Sequence, residues 1–357
     1  MKRRAVIMAG GAGTRLWPLS RQDRPKQLLP LLEGASLLRR SYERLRALLE
    51  PQEIFVITAG RHLGEVARQL PELPAENLIG EPCGRDTANA IGLAAALLHR
   101  REPQTVMGVF TADHVIEPLE RFAAAVRLGY EAAEANGDAL VTFGIKPGWP
   151  HTGLGYIHRG QPMGPGLYAV RRFREKPDLP TATAYVDSGQ YYWNSGMFVW
   201  RTETILAELH RHLPDSYLKL ARIADRWGQP GGAELAGQLY PSLQKISIDF
   251  AVMEKARRVL VVEMDCRWLD VGSWAALASV FRPDEHGNIR ALERAALVEA
   301  RDNILVADGE HLIAAIGVSD LIVVHSADAT LVCRRADAEK IKNLVSELQQ
   351  AYGSRYL

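Results

Sequence analysis

A five-residue apolar run, Ala5-Val6-Ile7-Met8-Ala9, stops abruptly on Gly10-Gly11-Ala12-Gly13. Continuous apolarity without alternation reads as a strand buried on both faces. Glycines directly after it let the backbone approach a ligand closely and aim N–H groups at an anion. Open α/β sheets bind ligands at such a place, the carboxyl end of a strand. The alternation then repeats. Ser36 can cap a helix with Leu38, Tyr42, Leu45 and Leu49 on one face. Strands are predicted over 54–58, 77–79, 105–110 and 139–143, and helices over 61–70, 86–99 and 118–135. The predicted fold class is therefore α/β: a Rossmann-like, mostly parallel sheet flanked by helices.

From about 146 to 280 the pattern loosens, with short aromatic strands such as 168–173 and 191–200 elaborating the same sheet. Pro283 to Gly287 reads as a boundary, giving domains over 1–282 and 288–357. Strands over 303–307, 312–316, 321–325 and 330–333, then a helix from Asp337, make the tail a small β-rich unit closed by a helix. The 357 residues carry 43 Lys+Arg against 42 Asp+Glu. That balance argues against nucleic acid or a membrane surface as partner while leaving room for a local basic pocket. No run approaches the ~20 apolar residues of a membrane span. Cys83, Cys266 and Cys333 form neither a disulfide framework nor a metal knuckle. A cytoplasmic protein is the expectation.

The glycine loop is not a dinucleotide fingerprint, because Leu16 stands where a third glycine is needed, and no Gly-Lys-Ser/Thr makes it a Walker loop. It carries Arg15 instead, and Pro25-Lys26-Gln27 follows shortly after. One Arg and one Lys beside a glycine turn suit a triphosphate, although the turn alone could be only a tight turn with surface cations. Asp113 follows the strand 105–110, and Asp270 follows Cys266-Arg267-Trp268-Leu269. Read singly, either aspartate could equally cap a loop. Asp249 reads as an acid favouring a helix start.

Gly10-Gly11-Ala12-Gly13-Thr14-Arg15-Leu16-Trp17-Pro18-Leu19-Ser20-Arg21 with Pro25-Lys26-Gln27 resembles the sugar nucleotidyltransferases, most closely the mannose-1-phosphate guanylyltransferases. The likeness continues in order through Glu81-Pro82-Cys83-Gly84-Arg85-Asp86-Thr87-Ala88, Ala112-Asp113-His114-Val115-Ile116 and Phe143-Gly144-Ile145-Lys146-Pro147. It extends over Phe173-Arg174-Glu175-Lys176-Pro177, Trp193-Asn194-Ser195-Gly196-Met197-Phe198, Ile248 to Lys255, Trp268 to Trp274 and Ala315 to Leu321. One block departs: His151-Thr152-Gly153-Leu154-Gly155-Tyr156 has His where the family pattern has Glu. The resemblance implies a short β-helix-like tail that mediates a homodimer. The additional isomerase domain of long family members is not expected after residue 357.

The reaction so implied moves GMP from GTP to mannose 1-phosphate, releasing GDP-mannose and pyrophosphate. The sugar phosphate is largely dianionic at neutral pH, so no protein nucleophile is needed, and catalysis should be in-line positioning with charge neutralisation. Mg²⁺, which prefers one or two carboxylates plus phosphate oxygens, is the implied cofactor, with Asp113 and Asp270 as its ligands. The resemblance assigns the nucleotide to Gly10, Gly11, Gly13, Thr14, Arg15, Lys26, Glu81, Arg85 and Asp113. Glu81 either accepts the guanine N–H groups or caps a helix. The sugar phosphate falls to Gly155, Glu175, Lys176 and Asn194. Arg15, Lys26, Asp113, Lys176 and Asp270 form the expected catalytic set, and His114 supports the metal site without ligating it.

Overall fold

A computed structural model describes residues 1–11, 13–32 and 34–357; Ala12 of the glycine loop and Glu33 lie outside the described residues. The chain forms two compact units. Met1–Ala9, Ser41–Ala112 and Ile116–Trp268 make the first; Gly10–Arg40, Asp113–Val115 and Leu269–Leu357 make the second.

Among the described residues, eleven strands arise before residue 271: β1 (Lys2–Met8), β2 (Ile54–Ala59), β3 (Leu78–Glu81), β4 (Thr105–Thr111), β5 (His114–Glu117), β6 (Leu140–Ile145), β7 (Tyr156–Gly164), β8 (Leu167–Arg174), β9 (Tyr191–Arg201), β10 (Val259–Glu263) and β11 (Arg267–Asp270). Nine build one sheet in the order β3-β2-β1-β4-β9-β6-β10-β8-β7. The apolar runs pair in parallel, with Ala5 opposite Ile54 on one side and Gly108 on the other. Their core is made of residues such as Val6, Ile57, Met107, Leu93 and Trp200, each at most 1% exposed. The central strand β9 runs antiparallel to both β4 and β6, and β7 and β8 are antiparallel as well. The sheet is thus mixed. Burial on both faces looks alike in either strand direction, so the apolar pattern of β9 carries no information about its polarity. Sheet order reverses at β1 and β4, the kind of position where open α/β sheets bind ligands. Segments of the second unit follow both strands directly: Gly10–Arg40 after β1 and Asp113–Val115 after β4.

The second unit is built on β12 (Ile289–Ala291), β13 (Arg294–Val298), β14 (Ile304–Ala307), β15 (Leu312–Ile316), β16 (Leu321–His325) and β17 (Thr330–Arg334). β12, β14 and β16 stack in parallel, aligning Ile289, Ile304 and Ile322; β13 pairs with β15 in the same sense. This is the expected short β-helix. A 3-10 turn over Arg335–Lys340 precedes the closing α-helix, Ile341–Tyr352. The core combines Ile304, Ile322, Leu331 and Ile341 with Leu16, Trp17 and Trp274. The Trp274 indole donates to the Trp17 carbonyl at 3.1 Å, and the Trp17 indole to the Tyr356 carbonyl at 2.8 Å.

Asn288 and Asn303 are both fully buried and satisfy the coil turns. Asn303 donates from its backbone and its side chain to Asn288 Oδ1, each at 3.0 Å, and to the Val318 carbonyl at 3.1 Å; its own Oδ1 accepts from Leu321 N–H at 3.0 Å. Asn303→Ala removes the side-chain partners of Asn288, Val318 and Leu321 at once. The Val318 carbonyl keeps Arg301 N–H and Asn288 Oδ1 keeps the backbone N–H of residue 303, so the cost should be about 1–3 kcal/mol, the penalty for leaving the Leu321 N–H without its acceptor. Chemical denaturation of the variant beside the parent checks this.

Candidate active site

The candidate side chains fall into two clusters, one in each unit. In the second unit, Gly11 and Gly13 have φ of +96° and +60°, conformations that glycine adopts without penalty. Gly13 also faces Lys26 so closely that a Cβ there would lie 2.7 Å from the lysine Cβ and Cγ. The turn is tied by Ser20 Oγ donating to the Gly13 carbonyl at 2.7 Å and by the Gln27 amide donating to the Gly11 carbonyl at 3.3 Å. Thr14 and Arg15 start the 3-10 turn Thr14–Leu16. Arg15 pairs with Glu339 at 3.0 Å, on an open surface.

Lys26 is buried. Its ammonium lies 2.8 Å from Asp113 Oδ2 and 3.9 Å from Asp270 Oδ1, and it donates to the Val271 carbonyl at 3.0 Å. Burial works against the lysine charge, but the two carboxylates more than offset it and raise its pKa. Burial likewise opposes ionisation of Asp113, yet the Lys26 ammonium, aided by His114, holds its carboxyl down to about 2. Val271 N–H donates to the Asp113 carbonyl at 3.1 Å, joining the two aspartate segments through the backbone.

Asp113, His114 and Asp270 each offer a ligand atom within 4.8 Å of the others. Asp270 Oδ1 is buried without a hydrogen-bond partner. An orphaned carboxylate oxygen beside a second carboxylate is a donor set that fits a hard divalent cation.

In the first unit, Glu175 and Lys176 follow β8, and Asn194 sits on β9. Lys176 takes φ +44°, a strained value for a lysine, and its ammonium lies 3.0 Å from Glu175 Oε1. The other oxygen, Glu175 Oε2, is buried without a partner. A Cβ at position 155 would come within 2.3 Å of that oxygen and 3.3 Å of the Asn194 Cβ, so a side chain there would push the Glu175 carboxylate aside. Asn194 N–H donates to the Gly155 carbonyl at 2.8 Å. Gly155, Glu175, Lys176 and Asn194 are thus brought together. His151 works on the backbone near them: its Nδ1 accepts from Gly153 N–H, and its own N–H donates to the Tyr156 hydroxyl, each at 2.9 Å.

Asp249, read from sequence as a helix-start acid, belongs to this cluster: its Oδ1 accepts from Asn194 Nδ2 at 2.9 Å. It does open a helical turn, the π-helix Asp249–Met253, so the local reading holds while the contact with Asn194 on β9 carried no sequence signal. Burial first, then the nearby Glu175 charge, push its carboxyl up to about 7. Glu81, at the end of β3, is also buried; the Tyr240 hydroxyl donates to it at 2.5 Å. Burial raises its pKa, and the Tyr240 bond opposes that rise. Arg85 donates from Nε to the Pro241 carbonyl at 2.8 Å.

A carboxyl whose pKa is higher folded than unfolded stabilises the fold below its ordinary value near 4, and that stability is lost as pH rises through about 7. Asp249→Asn should therefore match the parent in Tm near pH 4 and exceed it progressively up to pH 8. Thermal melts across that range check the sign.

A family profile described as "Nucleotidyl transferase" matches residues 4–287, and one described as "MannoseP isomerase/GMP-like beta-helix domain" matches 293–348. The chain is similar to a mannose-1-phosphate guanylyltransferase of Klebsiella pneumoniae, at 42% identity over 98% of this chain and 75% of that protein. One from Escherichia coli is 41% identical with the same coverage. Among solved structures, one described as a mannose-1-phosphate geranyltransferase from Thermus thermophilus superposes with TM-score 0.87 at 36% identity, covering 98% of this chain and 100% of that one. With its α/β core, its β-helix and its carboxylate–lysine cluster, this chain belongs to the nucleotidyl transferase family and groups there with the mannose-1-phosphate guanylyltransferases.

Proposed function

We propose that this enzyme transfers GMP from GTP to mannose 1-phosphate, releasing GDP-mannose and pyrophosphate. The observation that carries the reading is the meeting of Asp113 and Asp270, remote in sequence, on the buried ammonium of Lys26. The names of the relatives supply the substrates. A phosphate oxygen of the sugar phosphate attacks the α-phosphorus in line as the bond to the β-phosphate oxygen breaks. The attacking dianion and the triphosphate repel each other, so the protein's task is to place them and cancel charge. Lys26, Arg15 and the N–H groups of the glycine loop bind the triphosphate and stabilise the departing pyrophosphate. Lys176 holds the sugar phosphate, and Gly155, Glu175 and Asn194 hold the ring. Glu81 accepts from guanine N–H groups, with Arg85 beside it. Asp113 and Asp270 hold Mg²⁺, which when bound supplies further neutralisation of the phosphates.

Among the described residues, no helix is long and apolar enough to cross a membrane; we place the enzyme in the cytoplasm. Val298 and Ile316 are paired neighbours on β13 and β15, and with Leu312 they stand more than half exposed. A second copy of the chain covering this apolar face gives the homodimer.

Pyrophosphate release measured across four nucleoside triphosphates and several hexose 1-phosphates should single out GTP with mannose 1-phosphate; preference for another base or sugar refutes the assignment. Asp113→Ala and Asp270→Ala should each lower turnover by roughly 100-fold or more at unchanged circular dichroism, the scale of losing a transition-state charge partner. Chelation of divalent cations should abolish turnover, and added Mg²⁺ should restore it. Ile316→Lys should shift sedimentation toward the monomer without changing the activity per chain.

A further inference from the structure

The end of β8 and the turn before β10, both in the first unit, border a cavity of about 320 Å³. Its charged lining is four arginines, Arg171, Arg172, Arg174 and Arg257, against one carboxylate, Glu254. The strand itself produces part of this crowding. On β7, the consecutive residues His158 and Arg159 face Arg172 and Val170 of β8. Arg171 is thus an extra residue in β8, a β-bulge, and a bulge re-aims side chains that strict alternation would send to opposite faces.

Neighbouring arginines find partners. Arg258 pairs with Asp138, and Arg159 donates to the Tyr192 hydroxyl at 3.1 Å. Among the described residues, the four cavity arginines make no ion pair and no side-chain hydrogen bond. Glu254 is already engaged elsewhere, since its Oε1 accepts from Glu175 N–H at 2.9 Å. A single exposed arginine is simply solvated, but like charges around one concave space repel each other and focus a positive potential within it. A bound anion removes that repulsion.

The cavity is at the small end of small-molecule sites, too small for a folded partner or a nucleic-acid duplex. Guanidinium groups engage phosphate oxygens in pairs. One phosphate can occupy only some of four such forks, whereas two linked phosphates occupy more.

We propose that this cleft binds a small polyphosphate, and that the group it recognises is a diphosphate, free or esterified. None of the residues assigned above to the nucleotide, the sugar phosphate or the metal lines it, so it is a separate anion site.

The test is binding of inorganic pyrophosphate to the full chain by titration calorimetry, without divalent cation and at physiological ionic strength, where weak surface attraction is screened. The parent should show a saturable event, with orthophosphate at least about tenfold weaker. Arg171→Gln and Arg257→Gln should each weaken pyrophosphate binding by at least about tenfold, the scale of one lost charge-assisted hydrogen bond. Arg15→Gln should leave that event unchanged. Arg257→Lys, which keeps the charge and loses the fork, should fall between the parent and Arg257→Gln. All of these side chains but Arg15 are fully on the surface, and circular dichroism confirms that each variant folds. ADP as competitor separates the two sources: displacement at comparable affinity admits diphosphate esters, and failure to displace restricts the site to the free anion. The proposal is overturned by a parent without saturable binding, by affinities unmoved in both cleft variants, or by a loss confined to Arg15→Gln.

Discussion

A largely buried lysine ammonium placed among carboxylates organises the candidate site of the second unit. Lys26 alone would be expensive to bury, and so would Asp113. Together, 2.8 Å apart and with Asp270 close behind, they hold each other ionised. The pairing sets requirements on the chain around it. Gly13 has no side chain because Lys26 occupies that space, and the Val271 carbonyl completes the ammonium's bonding. Asp270 remains one partner short, which leaves the cluster able to take a cation or a phosphate-bound ion without dismantling itself.

The first unit holds a second cluster with an unpaired acceptor. Around Asn194, Glu175 Oε2 is an acceptor without a donor, and the Lys176 ammonium pairs with the other Glu175 oxygen. A methyl group at position 155 would displace Glu175 Oε2. A cluster short of donors suits a ligand with protons to give, whereas the carboxylate–lysine cluster of the second unit fits a hard cation.

The β-helix shows how a small tail is made rigid. Its coils are short, so each turn must hide backbone groups that longer loops would give to water. Asn288 and Asn303 do this from inside, in a ladder of buried amides. The same unit takes Leu16 and Trp17, from just after the glycine loop, into one core with Trp274 and the closing helix. The segment after the loop is therefore anchored by Trp274 and, in the tail, by Tyr356, both more than two hundred positions away.

Much was legible in the residues alone. Apolar runs, helical spacing and glycine placement depend on local sterics and burial, so the α/β core, the β-rich tail, the closing helix and the loop after β1 could be read directly. The quoted blocks added the family. What remained hidden depends on contacts between distant segments. The polarity of β9, the folding of Gly10–Arg40 with Leu269–Leu357 and the partnership of Asp249 with Asn194 all belong to this class; the three helices between Thr202 and Leu239 do not, since Ile205 with Leu209 and Leu220 with Ile223 already stand at helical spacing. Local composition determines which elements form and which residues can carry charge; only the tertiary structure decides which charges meet, because a hydrogen bond or ion pair depends on ångström-scale proximity that sequence separation does not encode.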